Sequence, residues 1–470
     1  MATISGLYRR AALLSVLGLS LAGCSSNSSP GVQVSGACTM AAENSAVLGT
    51  ARDWYLYQDL LPASLDPNGY ATSQAFLDAI TANARAQQKD REWSFLITKQ
   101  AAQQYFTAGQ SAGFGLGLVI DATSNHLLVQ QVLGGSPAQV AGFQRGDDIL
   151  AIGTATDNLV PMATLLATTT GLSGALGSGT PGTRYFQVQP VGTTVPLIRI
   201  ATSVAAYDLD PVVWKVLPGN VGYVHLRTFV STAEAKLRTA FSDFHAKGIQ
   251  NVIVDVRYNG GGLLSTANVL GSLLHPVSTD LMYRFAFNAK HPDQNTDQHF
   301  SAEASGLATV NRVAFITTGD SASASELVPN ALAAYLGATR LAIVGDRTYG
   351  KPVGQASFDL GDSCADALYL ISFALQNKDG YGGYYAGLPT ADFKGTSCQA
   401  ADDLTHEQGD PAEDSTQKAL AFATTGACGS SVIASAVIPG ALRAAAGTTT
   451  RTLLKPAAPS PAQRDIPGLY

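Results

Sequence analysis

Three short apolar runs constrain this chain more than any other feature: Val252–Val256, interrupted only by Asp255, then Val313–Ile316 and Leu341–Val344. Each is continuous rather than alternating, which is the pattern of a strand covered on both faces. The first runs into Asn259-Gly260-Gly261-Gly262 and a helix-like Leu263–Leu274; the second crosses Gly319-Asp320 into small residues and another helix-like segment. Upstream, Val221–Phe229 reads as a further strand and Ala233–Ala246 as a helix. Strands alternating with helices predict an α/β core whose functional groups sit at strand ends.

Those ends carry a particular chemistry. Ser321, Ser323 and Ser325 stand at alternate positions after the second run, and the third run ends in a Gly-containing loop with Lys351 and, four residues on, Gln355. A serine hydroxyl is a weak nucleophile and needs a base beside it. Lysine, ordinarily protonated, becomes a base when burial disfavours its ammonium form. A glutamine amide could then aim the lysine nitrogen without adding charge. Spacing alone does not choose among the three serines.

Ser323-Ala324-Ser325-Glu326, Thr348-Tyr349-Gly350-Lys351 and Gln355 together resemble the signature of the C-terminal processing, or tail-specific, peptidases, which are Ser/Lys serine peptidases with a PDZ domain. The resemblance implies a crotonase-like α/β peptidase core, with Ser323 as nucleophile, Lys351 as general base and Gln355 orienting it. The stretch Asp255-x-Arg257-x-Asn259-x-Gly261-Gly262 matches the family's oxyanion turn, which assigns the N–H groups of Gly261 and Ala324 to the oxyanion hole. Three departures stand out. Gly260 occupies a place where the family often has proline, the span from Glu326 to Lys351 is slightly long, and Pro329 lies inside the expected helix. Asp255, Asp320 and Glu326 read first as strand-end and helix-start residues, the last favoured by the helix dipole.

Ahead of this core, Gly113-Phe114-Gly115-Leu116-Gly117-Leu118, then Gly134-Gly135-Ser136-Pro137-Ala138, Ala141-Gly142 and Arg145-Gly146-Asp147-Asp148-Ile149-Leu150, resemble a PDZ domain in order and content. Glycines leave N–H groups free to cradle a chain-terminal carboxylate, and the adjacent sheet edge accepts a peptide as an added strand. The resemblance assigns peptide binding to Gly115, Leu116, Gly117 and Leu118. Gly171–Gly182 reads as a loop and Tyr185–Ile200 as closing strands.

The beginning of the chain has Arg9-Arg10, an apolar stretch and Leu21-Ala22-Gly23-Cys24. This reads as a secretory signal, too short to span a bilayer, and its end resembles a bacterial lipobox, with lipidation expected at Cys24. Ser25, with no aspartate there, places the product at the outer membrane, facing the periplasm, in the bacterial cell envelope. An ordinary signal peptide with a chance cysteine is the plainer alternative. The remaining cysteines, Cys38, Cys364, Cys398 and Cys428, suit two disulfides in an exported protein; Cys364–Cys398 with Cys38–Cys428 is the pairing expected here. No zinc-type spacing occurs, so neither a metal nor an organic cofactor is expected.

With 470 residues, a net charge of −6 and 46% apolar residues, the chain supports several cores and lacks the basic tract of a nucleic-acid binder. The domains expected are a signal peptide at 1–23, a tether at 24–40, a helical N-terminal segment at 41–106, the PDZ domain at 107–205, the peptidase core at 206–428 and a mobile tail at 429–470, rich in Ala, Thr, Pro and Ser. The seven histidines are scattered and read as surface or structural residues, which disfavours a Ser-His-Asp site. The functional expectation is a lipid-anchored Ser/Lys serine endopeptidase acting on proteins with apolar C-termini. The alternative is a catalytically silent, PDZ-containing peptide-binding lipoprotein.

Overall fold

The computed structural model describes residues 31–429, apart from 122–123, 169 and 178–180, and then 451–454, 456 and 459–470. Cys24 and the expected signal peptide lie outside the described residues. Among the described residues no helix is long and apolar enough to cross a membrane.

The three apolar runs form the centre of a six-stranded sheet in the order Val212–Leu217, Val221–Leu226, Asn251–Asp255, Arg312–Thr317, Leu341–Gly345 and Thr396–Cys398. All neighbours are parallel except the first pair. Alternation within each run covers both faces. Val252, Val254, Val313, Phe315 and Ile343 pack on the helices Ser231–Ala246, Leu264–Leu274 and Ala324–Leu336. Ile253, Ala314, Ile316, Ala342 and Val344 pack on the helix Asp414–Thr425 through Ala419, Phe422 and Ala423. Pro329 is accommodated within Ala324–Leu336.

A second sheet is built on the long strand Asp366–Gln376, which pairs with Phe95–Thr98, Leu281–Phe287 and Val353–Asp359. The N-terminal helices Met40–Trp54 and Ser73–Ala86 share an apolar cluster with Val353, Phe358, Leu368 and Leu370 of this sheet. The segment 41–106 is therefore not wholly helical, since Phe95–Thr98 is recruited as an edge strand. Val34 N–H donates to Leu360 O at 2.8 Å, so the end of the expected tether is also bound to the sheet.

A third, antiparallel sheet of seven strands includes Leu116–Asp121, His126–Val132, Asp148–Gly153, Thr183–Gln189 and Leu197–Thr202 around its own apolar cluster. Within the stretch read as a loop, Gly171–Leu176 is a short helix. Gln110–Gly113 pairs with Val204–Asp208 and closes the base of this unit.

Two expectations are corrected. The disulfides are Cys38–Cys364 and Cys398–Cys428, with Cα separations of 5.1 and 5.3 Å. The chain at Cys38 lies along the sheet beside Leu360, which brings it to Cys364, while Cys398 at a strand end meets Cys428 just beyond the last core helix. The tail expected to be mobile is docked where it is described, and residues 430–450 lie outside the described residues. Arg451–Leu453 adds to the antiparallel sheet beside Leu116–Asp121, and residues 459–470 are docked, with Ile466 and Leu469 buried in the main core cluster. Its prolines do not prevent this, because Pro461 opens a helical turn where a missing N–H costs nothing.

Candidate active site

Ser323 sits where the Arg312–Thr317 strand turns into the Ala324–Leu336 helix, with φ +55° and ψ −113°. For a residue with a Cβ this conformation costs on the order of 1–3 kcal/mol, and it persists because the turn is held from both sides. Ser321 Oγ donates to Val256 O at 2.7 Å and Ser325 Oγ donates to Asn259 O at 2.8 Å, and both serines are fully buried. The flanking hydroxyls thus fasten the turn to the glycine loop, and Ser323 alone of the three is partly exposed.

Glu326 joins the two halves of the site. Its carboxylate, completely buried, accepts from Ser323 N–H at 2.9 Å, Lys351 N–H at 2.8 Å, Gly350 N–H at 2.7 Å and the Thr348 hydroxyl. Burial pushes its carboxyl above the ordinary range, and these donors oppose that shift. Thr348 in turn accepts Leu388 N–H at 2.7 Å, placing the Gly387-Leu388-Pro389 turn against the same loop.

The half-buried Lys351 donates from Nζ to Gln355 Oε1 at 2.9 Å, and Gln355 Nε2 donates to Trp93 O at 2.8 Å, which fixes the amide's orientation. Removal from water pushes the lysine down to about 8, against the opposing field of the Asp465 carboxyl. Arg91 donates to the carbonyls of Tyr349 and Gly350 and lies over the rings of Trp93 and Tyr349, bracing the loop from outside.

The glycine turn faces Ser323 closely: a Cβ on Gly261 would stand 2.8 Å from Ser323 Cβ and 3.1 Å from Ala324 N, and its φ of +115° also demands glycine. Ala324 N–H belongs to the first helical turn, where donors lack partners within the helix. Gly261 N–H donates to Asn259 Oδ1 at 2.9 Å, while Gly260 N–H donates to Asp465 O at 2.7 Å.

Behind the turn lies a buried charge network that sequence reasoning did not find. Arg257 bonds Asp255 and Glu413, and Asp402 accepts from Arg145, Arg257 and the Tyr258 hydroxyl. Arg145 Nη1 also donates to Tyr258 OH at 2.7 Å. Because Arg145 belongs to the antiparallel unit and Tyr258 precedes Asn259-Gly260-Gly261, the network ties that unit to the turn. Nothing local in the sequence marks Asp402 or Glu413 as partners. His225, by contrast, is buried and pushed down to about 3 by desolvation, as a structural histidine should be.

Gly115, Leu116, Gly117 and Leu118 line a groove at the edge of the antiparallel unit, and residues 468–470 occupy it. Gly115 N–H and Leu116 N–H donate to Tyr470 O at 2.7 and 2.9 Å, Tyr470 N–H donates to Leu116 O at 2.8 Å, and Leu118 N–H donates to Gly468 O at 2.8 Å. Leu469 opposes Gly117 in antiparallel register.

The chain is similar to known peptidases. The profile of Peptidase family S41 matches residues 220–382, and that of the Peptidase S41 N-terminal domain matches residues 42–95. A carboxyl-terminal-processing protease of Synechocystis is 30% identical over 57% of this chain and 60% of its own length. The chloroplastic C-terminal processing peptidase of Tetradesmus obliquus is 29% identical over 59% of this chain and 59% of its own. This chain thus spans about 60% of the length of these relatives. A crystal structure from Bacteroides fragilis assigned to the S41 proteases superposes with a TM-score of 0.62 at 22% identity, covering 80% of this chain and 96% of that one. The fold is that of the S41 peptidases. Over residues 220–382 the chain is similar to Peptidase family S41, and the relatives named above are carboxyl-terminal processing proteases.

Proposed function

We propose that the protein is a serine endopeptidase in which Ser323 and Lys351 form the catalytic pair, and that its antiparallel unit is a PDZ domain capturing apolar C-termini of protein substrates. The observation that carries the reading is the Glu326 carboxylate accepting both Ser323 N–H and Lys351 N–H, with Gln355 orienting the lysine nitrogen. A protein that only bound peptides would gain nothing from a desolvated lysine beside a strained serine.

In this mechanism neutral Lys351 takes the Ser323 proton as Oγ attacks the scissile carbonyl. The oxyanion is met by Ala324 N–H and Gly261 N–H, the latter shared with Asn259 Oδ1. Donors so placed are typically worth about 3 kcal/mol each in the transition state. Collapse breaks the C–N bond as Lys351 returns the proton to the leaving amine. Water, deprotonated by Lys351, then releases the acyl group and regenerates the serine. Lipid anchoring at Cys24 would set this activity at the envelope surface. The test is cleavage of an unfolded reporter with an apolar C-terminus: wild type should cut it, and Ser323→Ala and Lys351→Ala should not while remaining folded. A wild type that binds the reporter's end without cutting would favour the silent binding module instead.

A further inference from the structure

The docked 459–470 segment reaches both halves of the proposed machinery. Its last residues add a strand to the groove at Gly115–Leu118, through the four main-chain bonds given above. Before them, Pro461–Asp465 forms a helical turn capped by Ser460 and Gln463, and Gln463 Nε2 donates to Leu469 O at 2.9 Å, folding the segment on itself. Arg464 lies 4.1 Å from the centre of the Phe95 ring. Asp465 O is held by Gly260 N–H, which a proline at this position could not supply, and a Cβ on Gly260 would come within 3.0 Å of Arg464 O and 3.1 Å of Asp465 O. Ile466 and Leu469, 0% and 1% exposed, anchor the segment in the core.

We propose that residues 460–470 are an internal occupant of this enzyme, filling the peptide groove and covering the glycine turn, so that a protein substrate must displace them before it is cut. This inference rests on the peptidase reading for the meaning of the covered residues, but the occupancy itself does not. Two features mark the segment as an occupant rather than a substrate. The residues over the turn are helical, whereas attack on a peptide carbonyl needs an extended, accessible bond. Burial holds the Asp465 carboxyl up at about 6, and above that pH its negative charge favours the ammonium form of Lys351, which cannot act as base.

The test uses a labelled synthetic peptide of the 460–470 sequence and full-length protein carrying Ser323→Ala, so that binding is read without cleavage. Leu469→Asp, or the milder Ile466→Ser, should loosen the internal segment and tighten binding of the added peptide roughly tenfold or more, as expected when the competent fraction rises from a minority. Equal affinity in the folded variants would overturn the proposal. So would purified wild type found by mass spectrometry to have lost residues 466–470, which would make the segment a substrate. With Ser323 intact, reporter cleavage should accelerate in the same variants. If binding tightens but neither form cleaves, the peptidase reading fails and the self-occupancy stands.

Discussion

Replacing Glu326 by Gln should damage this site more than any change of similar size elsewhere in the core. The carboxylate receives four donors in full burial: the N–H groups of Ser323, Gly350 and Lys351 and the Thr348 hydroxyl. Glutamine keeps the volume, so no cavity opens, but its single oxygen can face only one pair of donors. If it faces Thr348 and Gly350, the amide nitrogen opposes Ser323 N–H and Lys351 N–H. Each buried donor left without a partner costs roughly 1–3 kcal/mol. Removing a desolvated charge returns part of that, which leaves a net loss of about 2–4 kcal/mol. Because the two stranded groups belong to the nucleophile and the base, the loss falls on their relative position, and a kcat reduction of about 30- to 1,000-fold follows at 1.36 kcal/mol per decade. Chemical denaturation and steady-state cleavage of the reporter measure both quantities. A folded Glu326→Gln variant within about threefold of wild-type kcat would refute the reasoning, since a carboxylate serving only as a helix-start residue should be that dispensable.

Further outcomes follow from the same contacts. Lys351 acts as the neutral amine and burial has pushed it down to about 8 with Asp465 in place, so activity should rise with pH to a midpoint at or below about 8, lower once the segment is displaced, and then level off; a rate independent of pH between about 5 and 9 would contradict a lysine base. Gln355→Leu should lower kcat roughly 10- to 100-fold with little change in KM, because the amide aims the base rather than binding substrate. Reducing the disulfides individually should cost more at Cys38–Cys364 than at Cys398–Cys428. Their sequence separations of 326 and 30 set chain-entropy ceilings of roughly 6 and 4 kcal/mol, measurable as separate shifts in Cys38→Ser and Cys428→Ser denaturation midpoints.

The core was legible because its information is local. Val252–Val256, Val313–Ile316 and Leu341–Val344 declare doubly covered strands by their continuity, and all three lie side by side in the sheet. The serine cluster was legible only to within a choice of three: alternate spacing is the same for each, and what distinguishes Ser323 is that Ser321 and Ser325 spend their hydroxyls on Val256 O and Asn259 O. Glu326 looked like an ordinary first-turn acid because its other partners, at 348–351, arrive from another strand end. The disulfide pairing depended on where residues near 34 meet residues near 360, a register that composition does not encode. The 460–470 segment was misread for a related reason. Its prolines and small residues suggest a solvated chain, but Ile466 and Leu469 bury themselves in the main core cluster while residues 468–470 bond along residues 115–118, and both surfaces are assembled from distant parts of the sequence.

The most direct measurement of the central claim is covalent trapping with a serine-directed fluorophosphonate, followed by peptide mapping of the modified protein. The account predicts a single adduct on Ser323, absent from Ser321 and Ser325 and greatly slowed by Lys351→Ala. An adduct on either flanking serine, or labelling of Ser323 at an unchanged rate without Lys351, would contradict it.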